Sequence, residues 1–114
     1  DANKFGGITD FKFYSLAAKK ITIKNPTYYI FSTVKKKKLE KYLRLPGQVV
    51  YIPKLNNKDE YLDTFMFMNK FKNFILSNST FYWWAAYLAD NKKKVIISDK
   101  FNNKQSVPKE WVKL

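Results

Sequence analysis

The sequence predicts an α/β fold: a parallel sheet covered by helices on both faces, in one domain spanning residues 1–114. Three observations carry this. Short runs rich in β-branched and aromatic residues alternate with stretches of helical periodicity along the whole chain, the pattern of strands joined by helical crossovers. The 114 residues are 46% hydrophobic and 18% aromatic, enough for one small core, and neither an internal repeat nor a linker interrupts them. Finally, the apolar run Phe74-Ile75-Leu76 passes through four small polar residues, Ser77 to Thr80, into an apolar helical stretch. That is strand, turn and buried helix in direct succession.

Residues 1–8 read as a loop hinged at Gly6-Gly7. Thr9 or Asp10 caps a first helix, whose buried stripe is Phe11, Tyr14, Ala18 and Ile21. Asn25-Pro26 ends it, because the residue before proline avoids helical geometry. Strands are expected at 27–32, 48–52, 73–77 and 94–98. A weaker helix over 33–43 offers Val34, Leu39, Tyr42 and Leu43 as core positions. Its lysines crowd the N-terminus, where the helix dipole disfavours positive charge, so that end is expected to fray as a solvated turn or to face an anion. Pro46-Gly47 forms a turn, and Pro53 stops the second strand. Asn57 and Glu60 have capping-box spacing and open a helix with Leu62, Phe65, Met66 and Phe71 inward. The helix after Thr80 should run to about Asp90, with Asn91 as a left-handed C-terminal cap. A polar loop over 99–106 and a tail pinned by Trp111 follow.

Composition narrows the chemistry. There is no Cys, so disulfides and thiolate metal sites are excluded; there is no His, which removes the commonest general base and metal ligand. The formal net charge is +13, almost entirely from lysine, with clusters at 35–38 and 92–94. Such a field attracts polyanions: nucleotide sugars, nucleic acid and acidic lipid surfaces. Base readout in the major groove leans on arginine, and Arg44 is the only one, so no sequence-specific nucleic-acid binding is expected. Asp1 is not an initiator residue and no signal peptide is present, so the chain reads as part of something longer, a processed product or an expressed fragment.

In parallel sheets covered by helices, ligands bind beyond the carboxyl ends of the strands. The polar residues at those ends are Ser32-Thr33, Ser77-Asn78-Ser79-Thr80 and Ser98-Asp99, which right-handed crossovers bring to one edge. In the second group, Ser79 or Asn78 can cap the following helix. The helix's free first-turn N–H groups and dipole suit an anion; a plain cap that binds nothing has the same residue pattern.

The stretch Asn78-Ser79-Thr80-Phe81-Tyr82-Trp83-Trp84-Ala85-Ala86-Tyr87-Leu88 resembles the C-terminal signature of the α-1,2-fucosyltransferases, glycosyltransferase family 11. Other segments fall in the family's order. Asn3 to Ile8 is similar to a loop near the middle of the full enzyme, and Tyr29-Ile30-Phe31-Ser32 to a strand ending in Phe-Ser. Asp63, Met66 and Met68 match the helix before the signature; Lys94 to Ile97 and Val107 to Trp111 match the closing segments.

The resemblance implies a Rossmann-like domain, the C-terminal donor-binding half of a GT-B glycosyltransferase. It implies a GDP-fucose donor, a galactose-terminated glycan acceptor, transfer with inversion, no metal and no other cofactor. Asn78, Ser79 and Thr80 would contact the diphosphate or the fucose, with Ser32, Thr33 and Ser77 as further substrate-binding positions, and Phe81, Trp83 and Trp84 would pack. No catalytic residue is assigned, because the family's His-x-Arg-Arg-Gly-Asp motif is absent. The chain alone is therefore expected to be inactive, with an N-terminal domain missing. Thr33-Val34 stands where many members carry an acidic pair, Tyr82 replaces a Ser, and Asn69, Phe71 and Asn73 replace Ser, Cys and His. A cytoplasmic location is expected, peripheral on the inner face of a membrane through the lysine clusters. The competing readings are a basic nucleic-acid-binding module and a decayed family member that keeps only the fold.

Overall fold

The computed structural model describes residues 11–53 and 57–114. The expected caps Thr9 and Asp10, and the loop over 1–8, lie outside them. Four helices alternate with strands: α1 Phe11–Ala18, β1 Thr27–Ile30, α2 Lys36–Tyr42, β2 Gln48–Tyr51, α3 Lys58–Met68, β3 Asn73–Leu76, α4 Thr80–Tyr87 and β4 Lys94–Ile97. A fifth strand, β5 Val112–Lys113, follows where the sequence suggested only a pinned tail. Every pairing is parallel, as the alternation requires. The strands form two ladders rather than one: β1-β2, and β3-β4-β5.

The three-stranded ladder carries the core, and its period-2 alternation sorts side chains to two faces. Phe74, Leu76, Val95 and Ile97 meet Trp83, Ala86 and Ala89 on one side, with Phe101, Val107 and Trp111 closing the cluster. Ile96 meets Phe13 and Ala17 on the other, with Ile75 and Val112 packed alongside. So α4 covers one face and α1 the opposite one, the expected three-layer arrangement. The indole N–H groups of Trp83 and Trp111 are buried without an acceptor among the described residues. Each such group costs about 1–3 kcal/mol, set against the area that the two rings bury on each other at 5.8 Å.

The two ladders are tied together by α3. Phe67 and, just beyond the helix, Phe71 pack on Tyr29 and Phe31 at the end of the first ladder. Tyr61 and Phe65 pack on Phe81 of α4. At the other end of the β1-β2 ladder, Gly47 passes so close that an added Cβ would lie 2.5 Å from the Pro26 carbonyl oxygen. Only glycine permits that approach.

Several helix details depart from the sequence pattern. Helix α1 stops at Ala18, not near Asn25; Ile21 to Ile23 is β-branched at two ends and a threonine between, which favours extended backbone. Asn25 takes φ 52°, a left-handed conformation asparagine tolerates, just before Pro26. Helix α2 begins at Lys36 with no side-chain cap; only Leu39 of its expected core positions is buried, and Val34 and Tyr42 are exposed. In α3 the Asn57 cap forms as expected, accepting from the Glu60 N–H at 3.0 Å. Its inward stripe keeps only part of the expected set: Leu62 is 60% and Met66 57% exposed, whereas Phe65 is half-buried and Met68 is buried. Phe65 meets Phe81 edge-on, and so does Tyr61, which nonetheless stays largely exposed.

Helix α4 is not buried all round. Trp84 is 51% exposed, with Tyr87 and Leu88 also outside, so the packing role expected of Trp84 is confined to its contacts with Trp83 and Tyr87. The helix ends at Tyr87, and Asn25 alone among the described non-glycine residues has positive φ, so Asn91 is not a left-handed cap. Lys92 does that work instead. Its Nζ donates to the carbonyls of Tyr87 and Ala89 at 2.7 and 2.9 Å, a cation placed at the negative end of the dipole.

Candidate functional site

The turn between β3 and α4 is built as the sequence suggested, and most of its polar side chains already hold the fold. Ser77 shares a side-chain hydrogen bond with Tyr14 of α1. The Asn78 Oδ1 accepts from the Asn102 N–H at 3.2 Å, tying the turn to the loop after β4. Ser79 is the N-cap: its Oγ accepts from the Tyr82 N–H at 3.5 Å, a long bond, and its carbonyl accepts from Trp83 at 3.0 Å. Of the two cap candidates, Ser79 is therefore the one used. Thr80 is exposed at the first helical position. The N–H groups of Thr80 and Phe81 meet no acceptor among the described residues, as the first turn of any helix requires unless something outside it supplies one.

Beside that first turn lies a crevice of about 60 Å³, lined by Phe31, Ser32, Thr33, Ile52, Pro53, Tyr61, Thr64, Phe81 and Tyr82. Its walls come from the carboxyl ends of β1 and β2, the inner face of α3 and the start of α4. Here Ser32 and Thr33, which belong to the other ladder, approach the signature helix. The Ser32 Oγ accepts from the Val34 N–H at 3.0 Å, fixing the turn that leaves β1. Ser98 and Asp99 sit apart, around a second cavity of about 200 Å³ formed with Lys12, Phe13, Leu16, Lys100 and Leu114. Ser32 and Thr33 thus line one hollow and Ser98 and Asp99 the other, while Ser77 to Thr80 line neither.

Two tyrosines shape the electrostatics of the turn. Burial pushes the Tyr14 phenol above its ordinary pKa, partly offset by the bond to Ser77. Burial also raises Tyr82, and charge repulsion from Tyr14 and Tyr61 adds to it. Both are thus neutral hydroxyls at physiological pH, leaving no phenolate to repel an anion at the helix start. Among the described residues no three His, Cys, Asp or Glu side chains gather where they could hold a metal ion.

A profile of glycosyl transferase family 11 matches residues 47–114. The chain belongs to that family. The matched stretch contains β2 to β5, the whole three-stranded ladder, the turn and the signature helix. Members of the family are fucosyltransferases, so the chain carries the fold of a fucosyltransferase-type glycosyl transfer enzyme. No curated protein and no solved structure matches it.

Three residues frame the family's helix here; Tyr61 and Thr64 were not singled out from sequence, and Asn69 was noted there only as a departure from the family pattern. Asn69 Nδ2 donates to the Ala85 carbonyl at 2.6 Å and pins the end of α3 to the middle of α4. Tyr61 and Thr64, one helical turn apart, supply the α3 side of the crevice.

Proposed function

We propose that this chain forms the donor-binding wall of a galactoside α-1,2-fucosyltransferase, with GDP-fucose as donor and a galactose-terminated glycan as acceptor. The observation that carries the reading is the pair of unpartnered N–H groups, on Thr80 and Phe81, beside a crevice at the carboxyl ends of β1 and β2. They belong to the helix that bears the family signature. In inverting transfer the acceptor hydroxyl attacks the anomeric carbon of fucose while its bond to the diphosphate breaks. Negative charge then grows on the departing phosphate. Backbone donors and a helix dipole fixed in advance favour that charge without reorganising. The Thr80 hydroxyl adds a donor, and Ser32 and Thr33 border the opposite wall for the sugar or the nucleoside.

A nucleotide pocket typically measures about 300–1,000 Å³, well above the crevice here. The site reads as one side of an interdomain cleft, as the GT-B resemblance implies. Nothing in the reading routes a step through a metal. The 114 residues contain no His and one Arg, so they lack the family's basic loop for neutralising the leaving diphosphate. Arg44 is also committed elsewhere, its Nη1 donating to the Glu40 carbonyl at 3.0 Å. That same commitment weighs against the nucleic-acid reading.

The test is calorimetric titration with GDP-fucose, GDP and UDP, alongside mass-spectrometric product detection on a galactoside. Binding that prefers the guanosine compounds, with no fucosylated product from the chain alone, is the expected result. Equal affinity for UDP removes the donor assignment, and robust turnover shows that the catalytic groups have been misplaced.

A further inference from the structure

We infer that the face of helix α2 is a docking surface for an anionic lipid bilayer. Residues 19–44 hold nine of the chain's 22 basic residues and one acid, Glu40. Helix α3, by contrast, carries Asp59, Glu60 and Asp63, three of the nine acidic residues. Positive charge is therefore denser over residues 19–44 than over α3, and its tightest run, Lys35 to Lys38, falls at the start of α2.

The two lysine clusters, equivalent in sequence, differ in the fold. In the 92–94 cluster, Lys92 Nζ is taken up by the carbonyls at the end of α4, and Lys94 Nζ donates to the Lys20 carbonyl at 2.8 Å. In the 35–38 cluster all four lysines are exposed and, among the described residues, none forms an ion pair; Lys36 lies over the Tyr51 ring at 5.4 Å. The burial of Leu39 orients the helix. With its face inward, helical spacing sets Lys37 and Lys41 outward together, with Lys38 at their flank. Val34 precedes the helix and Tyr42 ends it; both are exposed, although one side of the Tyr42 ring stacks on Phe11 and Lys41 lies 5.2 Å from the ring centre.

This combination, several unpaired lysines on a short helix edged by an aromatic and an aliphatic side chain, matches the chemistry of a membrane interface. Anionic headgroups complement the charge, and tyrosine is favoured at headgroup depth. Duplex nucleic acid fits less well, because the single guanidinium is turned back onto Glu40 and cannot read a base edge. The surface is separate from the crevice residues, so it locates the protein without contributing to donor binding.

Vesicle co-sedimentation tests this. The probes are vesicles of phosphatidylcholine alone and of phosphatidylcholine with a third phosphatidylserine. Three proteins are compared: the parent, a triple variant Lys37→Gln/Lys38→Gln/Lys41→Gln, and a control triple Lys93→Gln/Lys104→Gln/Lys109→Gln of the same net charge. A folded far-ultraviolet spectrum is required of each. A lysine beside an anionic leaflet contributes roughly a fivefold change in partitioning, so the α2 triple should lose on the order of a hundredfold. The control should lose much less, and binding should fade as salt shortens the Debye length. Equal losses in both triples, or no binding of the parent to the serine-containing vesicles at low salt, overturn the inference. So does tighter binding to a DNA duplex than to those vesicles at matched phosphate. Donor titrations of the α2 triple separate the two proposals, since GDP affinity should be unchanged.

Discussion

Replacing Ser79 separates a helix cap from a phosphate site. The Oγ of Ser79 reaches the Tyr82 N–H at 3.5 Å, the long end of a hydrogen bond. Loss of a serine cap costs about 0.5–2 kcal/mol, and a bond of this length belongs near the lower value. For a domain of this size ~0.5 kcal/mol corresponds to a fall of roughly 2–4 °C in Tm for Ser79→Ala. Ser79→Asp keeps a capping oxygen and adds a negative charge at the positive end of the dipole, worth about 0.3–1 kcal/mol in the folded state. It should therefore melt at or above the parent. Its effect on GDP runs the other way. A carboxylate about 5 Å from one phosphate charge repels it by roughly 0.8 kcal/mol in water and about 3 kcal/mol at an effective dielectric constant of 20. With a diphosphate the loss in affinity should be on the order of ten- to a hundredfold or more. Thermal melts and GDP calorimetry on the parent, Ser79→Ala and Ser79→Asp supply both readouts. Unchanged GDP affinity in Ser79→Asp, with normal melting, would show that the turn is a cap and nothing else. A parent that binds no GDP favours a fold retained without its donor site.

The core and the tyrosines give two further expectations. Ile97 is fully buried under α4, so Ile97→Ala should cost about 2–5 kcal/mol in chemical denaturation, whereas Leu62→Ala on the exposed side of α3 should stay within about 0.5 kcal/mol; equal effects would place the α3 stripe on the wrong side. The Tyr14 and Tyr82 phenols have raised pKa values in the fold against an ordinary value of 10.0. The stabilisation from keeping them neutral is complete below that value and is lost as pH rises through their folded pKa. Alkaline melts should accordingly fall less steeply for Tyr82→Phe than for the parent, and parallel curves would contradict the burial of that hydroxyl.

Element order was legible because parallel crossovers impose a rhythm that residue type reports: β-branched and aromatic runs for β1 to β4, caps at Asn57 and Ser79 for α3 and α4. What escaped was anything settled by tertiary competition. Leu62 and Phe65 fit the same apolar pattern, and the position of Phe81 decides that Phe65 is half-buried while Leu62 stays exposed. The two residues of β5 are too few to show a period, and their pairing depends on Ile96 and Ile97 already being in place. The division into two ladders depends on which strands meet, a relation between distant segments that no local window contains. For the site, the turn was found because strand, small polar residues and apolar helix are contiguous. Thr64 was not, and the role of Asn69 was not, since each acts on a partner across the fold.

The closing segment has a consequence for synthesis of the chain. Phe101, Val107 and Trp111 cover the same face of the ladder as α4, and β5 adds its outer strand. A nascent chain translated only as far as Ile97 can align β3 with β4, yet its apolar face lacks those three side chains, and the β4 edge lacks a partner. Such an intermediate presents an unpaired strand edge and open hydrophobic surface, the features that recruit chaperones and proteases. Completion of this ladder must therefore wait for the stretch around Trp111 to leave the ribosome, and a chain cut short before Trp111 is left as incomplete in its core as one altered in β3 or β4.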